Sequence, residues 1–143
     1  MATIREILKD MATEIFPDFT YLFEDWETAD TKMEKLEYPA IIAVIPASGT
    51  TEVKNGRVYD TVNIAIAFLD TAPRGAEGDD NGIVIDRMKV AGADLINRIN
   101  KSRLFEPLEG KQSYETIIEK LSTIVSGVMY SLTLTQKIGE CSL

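Results

Sequence analysis

Hydrophobic and polar positions alternate most regularly in the middle of the chain, between Tyr38 and Asp70. Tyr38-Pro39 leads into Ala40 to Ile45, a run apolar on both faces that predicts a strand covered on each side. Pro46 to Gly49 interrupts it, and Thr50 to Val53 resumes the outgoing arm. Asn55-Gly56 then sits between two β-prone segments, where a tight turn with positive φ at both central residues predicts a hairpin. From Arg57 onward, Val58, Val62, Ile64, Ile66 and Phe68 are apolar, while Tyr59, Thr61, Asn63, Ala65 and Ala67 between them are, apart from the tyrosine, small or polar. That period of two predicts an antiparallel strand with one packed face and one face near water.

Helical periodicity flanks this hairpin. Ile4, Ile7, Leu8, Met11, Ala12 and Ile15 form one stripe, with Thr3 and Glu6 spaced as a capping box and Pro17 as the stop. A second stripe runs through Ile85, Met88, Ala91, Leu95 and Ile99, widened by Val84 and Ile96, and predicts a helix from about Ile83 to Asn100. Gly92 in its middle costs about 1 kcal/mol against Ala, unless close packing on the sheet requires it.

Phe19 to Trp26 is aromatic and β-prone and predicts a first strand, with Trp26 a packing residue. Glu27 to Glu37 is polar and fits either a loop or a helical turn. Ser113 to Ile124 predicts another strand. Val128, Tyr130, Leu132 and Leu134 alternate with Met129, Ser131, Thr133 and Thr135 in a last strand that should pair inside the sheet. The expected fold is α+β: a mainly antiparallel sheet with a long β-hairpin, packed by two amphipathic helices in the order α-β-β-β-α-β-β. Residues 1–143 read as one domain, without repeats or a linker.

Composition then narrows the chemistry. The chain of 143 residues has no histidine, which removes the commonest general base and zinc ligand. Its one cysteine, Cys141, can form no intrachain disulfide. No phosphate-binding glycine loop and no Gly-x-Ser-x-Gly occurs. A net charge of −8 opposes sequence-specific or general nucleic-acid binding, because phosphate affinity comes mainly from Lys and Arg. No apolar run is long enough to span a membrane. The amino terminus lacks the layout of a secretion signal, so a cytoplasmic location is expected.

Two acidic groupings are candidate sites. Asp70 to Gly82 reads as an acidic, glycine-bearing loop. Within it Glu77, Asp79 and Asn81 are weak candidate metal ligands, because Glu77-x-Asp79-x-Asn81-Gly82 resembles a calcium loop. The twelfth position, which should supply a bidentate glutamate, is Met88. Glu24, Asp25 and Glu27 beside Trp26, and the adjacent Asp79 and Asp80, keep carboxylate hydrolysis formally open, but such pairs work only when they face each other across a cleft. The expectation is no enzyme, no catalytic residue and no cofactor.

The layout as a whole carries a resemblance. An amphipathic first helix, Tyr38-Pro39 before an apolar strand, the long hairpin, an acidic loop, and a helix ending Asn97-Arg98-Ile99-Asn100 follow in order. Leu104-Phe105-Glu106-Pro107 and a closing Val128 to Leu134 strand complete it. From Ile4 to Gln136 this resembles the tail-terminator and tail-completion (minor tail) proteins of tailed bacteriophages and prophages. The resemblance implies a structural subunit that forms a ring, typically a hexamer, which caps the tail tube and meets the head–tail connector protein. It implies self, tail-tube protein and connector as partners, and a place in the host cytoplasm during assembly and then in the virion tail. On that reading the subunit contacts are expected at Val53, Lys54, Asn55, Gly56, Arg57 and Val58. The alternative is a small acidic binding module whose 70–82 loop recognises a cation or a basic partner.

Overall fold

The computed structural model describes residues 2–72 and 77–140. The element order is α1 (Ile4–Ile15), β1 (Thr20–Glu24), α2 (Trp26–Lys32) continued by a 3-10 turn (Met33–Lys35), β2 (Ala40–Val44), β3 (Gly49–Lys54), β4 (Arg57–Ala72), α3 (Gly78–Ser102), β5 (Tyr114–Lys120) and β6 (Ile124–Glu140). The six strands form one sheet in the order β1-β2-β4-β6-β5, with β3 paired to β4 beyond the end of β2. The class is α+β as expected.

α1 starts where the sequence indicates: the Thr3 side chain accepts from the Glu6 N–H at 3.2 Å, and Thr3 Oγ1 donates to Glu6 Oε1 at 3.0 Å. Its apolar stripe packs with Val84, Met88, Ala91, Leu95 and Ile99 of α3 on one face of the sheet, over Ile41, Ile64, Ile66, Phe68, Val128 and Tyr130. Gly92 is where α3 meets the Tyr130 ring, so its lack of a side chain is a packing requirement. β6 pairs with β4 over nearly its whole length and with β5 on its other side, which makes it an interior strand.

The sheet departs from the expectation in four ways. First, it is mixed: β1 runs parallel to β2. A parallel neighbour needs a crossover, and α2 with its 3-10 turn supplies it. Second, Asp25 ends the first strand by capping α2, so Trp26 opens a helix, and the arm before the hairpin is two strands, β2 and β3, so that the observed order is α-β-α-β-β-β-α-β-β. The Asp25 side chain accepts from the Thr28 N–H at 3.0 Å and from Thr28 Oγ1 at 2.7 Å.

Third, the second face of β4 is not left near water along its final third. Ala67 and Leu69 are buried there with Ile42, Ile117 and Val125 beneath Ala29 and Met33, with Trp26 packed alongside. The small side chains of Ala67 on the strand and Ala29 on the helix let the two approach. Tyr38 fixes that cover, its hydroxyl donating to the Met33 carbonyl at 2.6 Å. Fourth, α3 begins at Gly78, five residues ahead of the predicted start. The acidic stretch is therefore not one loop: Asp70 to Ala72 belongs to β4 and Gly78 to Gly82 to the helix.

Candidate subunit interface

The six expected contact residues form the tip of a projecting arm. Asn55 and Gly56 have φ of 53° and 74°, the left-handed pair that a two-residue hairpin of the right twist demands. Lys54 therefore faces Arg57, Val53 faces Val58, and the pairing continues down to Gly49 opposite Val62. On the other side of β4, β6 runs out to the tip as well, with Glu140 opposite Arg57. The arm is thus three strands wide to its end. An extra β6 residue opposite the Val58/Tyr59 step makes a bulge, a feature that sharpens local twist. Cross-strand bonds stiffen the arm's root: Thr61 Oγ1 to Thr135 Oγ1, and Thr133 Oγ1 to Asn63 Oδ1, each at 2.9 Å. The buried Gln136 ties it to the start of α1, donating to the Ala2 carbonyl at 2.7 Å.

Every β3 residue is exposed, and Val53 is 64% exposed. Its flanks, Lys54 and Arg57, put two cations at the tip of a chain whose net charge is −8. Among the described residues β3 pairs with β4 alone. In an antiparallel ladder alternate residues turn their N–H and C=O away from the partner. The Asn63 N–H bonds the Ser48 carbonyl, so Gly49, Thr51 and Val53 are the residues whose backbone groups point outward. This is a strand edge with unused hydrogen-bonding capacity and an exposed valine. Such edges join other strands unless charge, proline or a cover prevents it.

The acidic groupings assemble differently. The Glu77 side chain accepts from the Asp80 N–H, and Asp80 Oδ2 accepts from the Glu77 N–H at 3.1 Å, a reciprocal capping box at the start of α3. Asn81 is turned inward: its Oδ1 accepts from Ser126 Oγ at 2.6 Å and its amide donates to the Glu77 carbonyl. Glu77, Asp79 and Asn81 thus follow one another round a helical first turn rather than wrapping an ion. Among the described residues no group of three or more carboxylates could hold a metal. Glu24 pairs with Lys32, and Asp25 is spent on capping, where its bonds to Thr28 hold its carboxyl below the usual range. Cys141 lies outside the described residues.

An open groove of about 590 Å³ separates α1 from the end of α3, floored by Ile7 and Met11 and bridged by an Arg98–Glu14 ion pair at 2.9 Å. Among the described residues no helix is long and apolar enough to cross a membrane. The sequence pointed to the hairpin through its turn residues. Another edge strand, β5, carried no comparable signal, because exposed Tyr114 and Ile118 read as ordinary strand residues. Scans against models of known families and against curated proteins give no match to this chain.

Proposed function

We propose that this chain is a structural subunit of a phage or prophage tail, a terminator or completion protein that assembles as a ring, typically of six copies. The ring caps the tail tube and joins it to the head–tail connector. The observation that carries the reading is the β3–β4 arm. A three-stranded projection carries a strand exposed at every residue, is tied to the body by Gln136, and among the described residues leaves the outer edge of that strand unpaired. An isolated domain gains nothing from such an edge and risks aggregation through it, whereas a ring subunit uses it to bind the next copy. The whole-chain layout from Ile4 to Gln136 supports the same reading.

On this reading the acidic surface has a use, since a negatively charged lumen passes DNA without holding it. The protein works in the host cytoplasm during assembly and stays with the virion tail. Adding it to polymerising tail-tube protein should give tubes capped at one end in negative-stain electron microscopy. Uncapped tubes of unlimited length, with the protein left monomeric, would refute the proposal.

A further inference from the structure

The arm is half of a contact, and the sheet contains a second half with matching polarity. β5 ends the sheet on the far side and pairs only with β6 among the described residues. The Ser131 N–H bonds the Ser113 carbonyl, so Tyr114, Thr116 and Ile118 turn their backbone groups outward. Tyr114 and Ile118 are 44% and 48% exposed. Taken across the sheet, β3, β4, β6 and β5 are each antiparallel to the next. A second copy placed beyond β5 therefore presents its β3 antiparallel to β5 without being turned over. Val53 and Val58 are opposite each other, as are Tyr114 and Tyr130, and both pairs belong to the even-numbered face of β4 that α1 and α3 cover. The two edges thus meet with the same face towards the helices. β1 also ends the sheet, but its residues are only half-exposed.

We propose that β5 of one copy adds to β3 of the next as a continuing antiparallel sheet, with Val53 opposite Thr116. The inference rests on the ring reading and identifies its joint. Side-chain chemistry selects the register. With Val53 opposite Thr116, all six β3 residues face Glu115 to Lys120, and Lys54 stands opposite Glu115. A slip of two residues, which keeps the faces aligned, puts Glu52 opposite Glu115 one way and opposite Glu119 the other. Like charges directly opposite destabilise a strand pair.

The two edges are also offset. Val53 is level with Val58, whereas Thr116 is level with Val128 and so with Phe68, ten positions further along β4. At about 3.3 Å per residue that is a stagger of about 33 Å per copy across four strands, so the strands of a closed ring lie steeply inclined to its axis. A head-to-tail contact whose rotation does not close makes a filament instead.

The test uses the full chain with Cys141→Ser and one cysteine in each edge. Thr50→Cys and Glu119→Cys fall opposite each other as a non-hydrogen-bonded pair, the closer kind of antiparallel pair. Mild oxidation of the double variant at high protein concentration should give a covalent ladder on non-reducing gels. Mixing the two single variants should give only the mixed dimer. Thr51→Pro, which removes an outward N–H while sparing the β4 ladder, should abolish cross-linking with the fold retained by circular dichroism.

Rings seen by electron microscopy without the 50–119 cross-link overturn the proposed joint and leave the ring reading standing. Homotypic dimers of either single variant, or cross-linking through Glu52→Cys with Glu119→Cys instead, overturn the pairing or its register. A cross-linked filament supports the joint and refutes the ring. A monomer that never cross-links refutes both.

Discussion

The ring of Tyr130 fills the space beside Gly92 that any side chain there would need. A β-carbon at residue 92 would lie 2.8 Å from Tyr130 Cδ2 and 2.9 Å from Cζ, and nearer still to Cε2. Replacing Gly92 by Ala should gain about 1 kcal/mol of helix propensity and lose more to overpacking, about 1–3 kcal/mol. The expected net effect is a lower urea midpoint. In a Tyr130→Leu background the same change should stabilise, because the obstruction is a side chain. A double-mutant cycle by urea denaturation reads both.

Gly127 presents the contrasting case. A β-carbon there would lie 2.9 Å from the Phe68 carbonyl carbon and 3.1 Å from Leu69 Cα, and still closer to the Phe68 oxygen. The obstruction is the backbone of β4, the neighbouring strand. Gly127→Ala should therefore destabilise by more than Gly92→Ala, and Phe68→Leu should not rescue it. Thermal melts of the single and double variants distinguish the two mechanisms.

How much could be read from the sequence differs by element. The hairpin was legible because its turn chemistry is local: Asn55-Gly56 needs nothing distant to set its φ values. α1 was legible for the same reason, with a full apolar stripe and an N-cap, Thr3, of its own. α2 was not, since a seven-residue helix that buries only Ala29, with Met33 just beyond, has too few anchors to show a period. The start of α3 was hidden behind glycines and acids that resemble a loop. There the helix is held by the Glu77–Asp80 box and by the Asn81–Ser126 bond, whose partner lies 45 residues away. The parallel β1–β2 pairing follows from the undetected crossover. Of the free strand edges, the sequence singled out β3 through its turn and not β5, because strand order decides which strand ends a sheet.

The Glu77–Asp80 capping box makes its own prediction. Asp80→Ala should cost about 1 kcal/mol of stability, the usual worth of a helix cap. Calcium up to millimolar concentration should leave the melting temperature of the wild type unchanged. A calcium-dependent rise in melting temperature that Asp79→Ala removes would restore the binding-loop reading.

Asp25 should contribute an acid-sensitive increment. Its folded pKa is lowered by the Thr28 side-chain and backbone hydrogen bonds. The stabilisation is thus present above the unfolded value of about 3.9 and is lost as pH falls through the lowered folded value. Asp25→Asn keeps a capping side chain that does not titrate. The stability difference between wild type and variant should therefore shrink below about pH 4 and stay constant above it, as followed by denaturant titrations across the acid range.

Two partly buried tyrosines should behave oppositely on loss of the hydroxyl. Burial pushes both Tyr21 and Tyr38 up to about 12. Tyr21 Oη has no hydrogen-bond partner among the described residues, whereas Tyr38 bonds the Met33 carbonyl. Tyr21→Phe should be neutral or slightly stabilising, and Tyr38→Phe should cost about 1 kcal/mol. Their ordinary pKa is about 10, so both hold their protons in the folded state as the unfolded chain loses them. Stability is then full below pH about 10 and falls as pH rises towards the folded value of about 12.

The arm is the centre of the account, and its removal tests it most directly. Sedimentation velocity of the full chain, alone and with tail-tube protein, should detect a ring-sized species that disappears when Lys54 to Arg57 are deleted. The far-ultraviolet circular dichroism of the deletion variant should be retained. Unchanged assembly by that folded variant would contradict the claim that β3 and its hairpin join one subunit to the next.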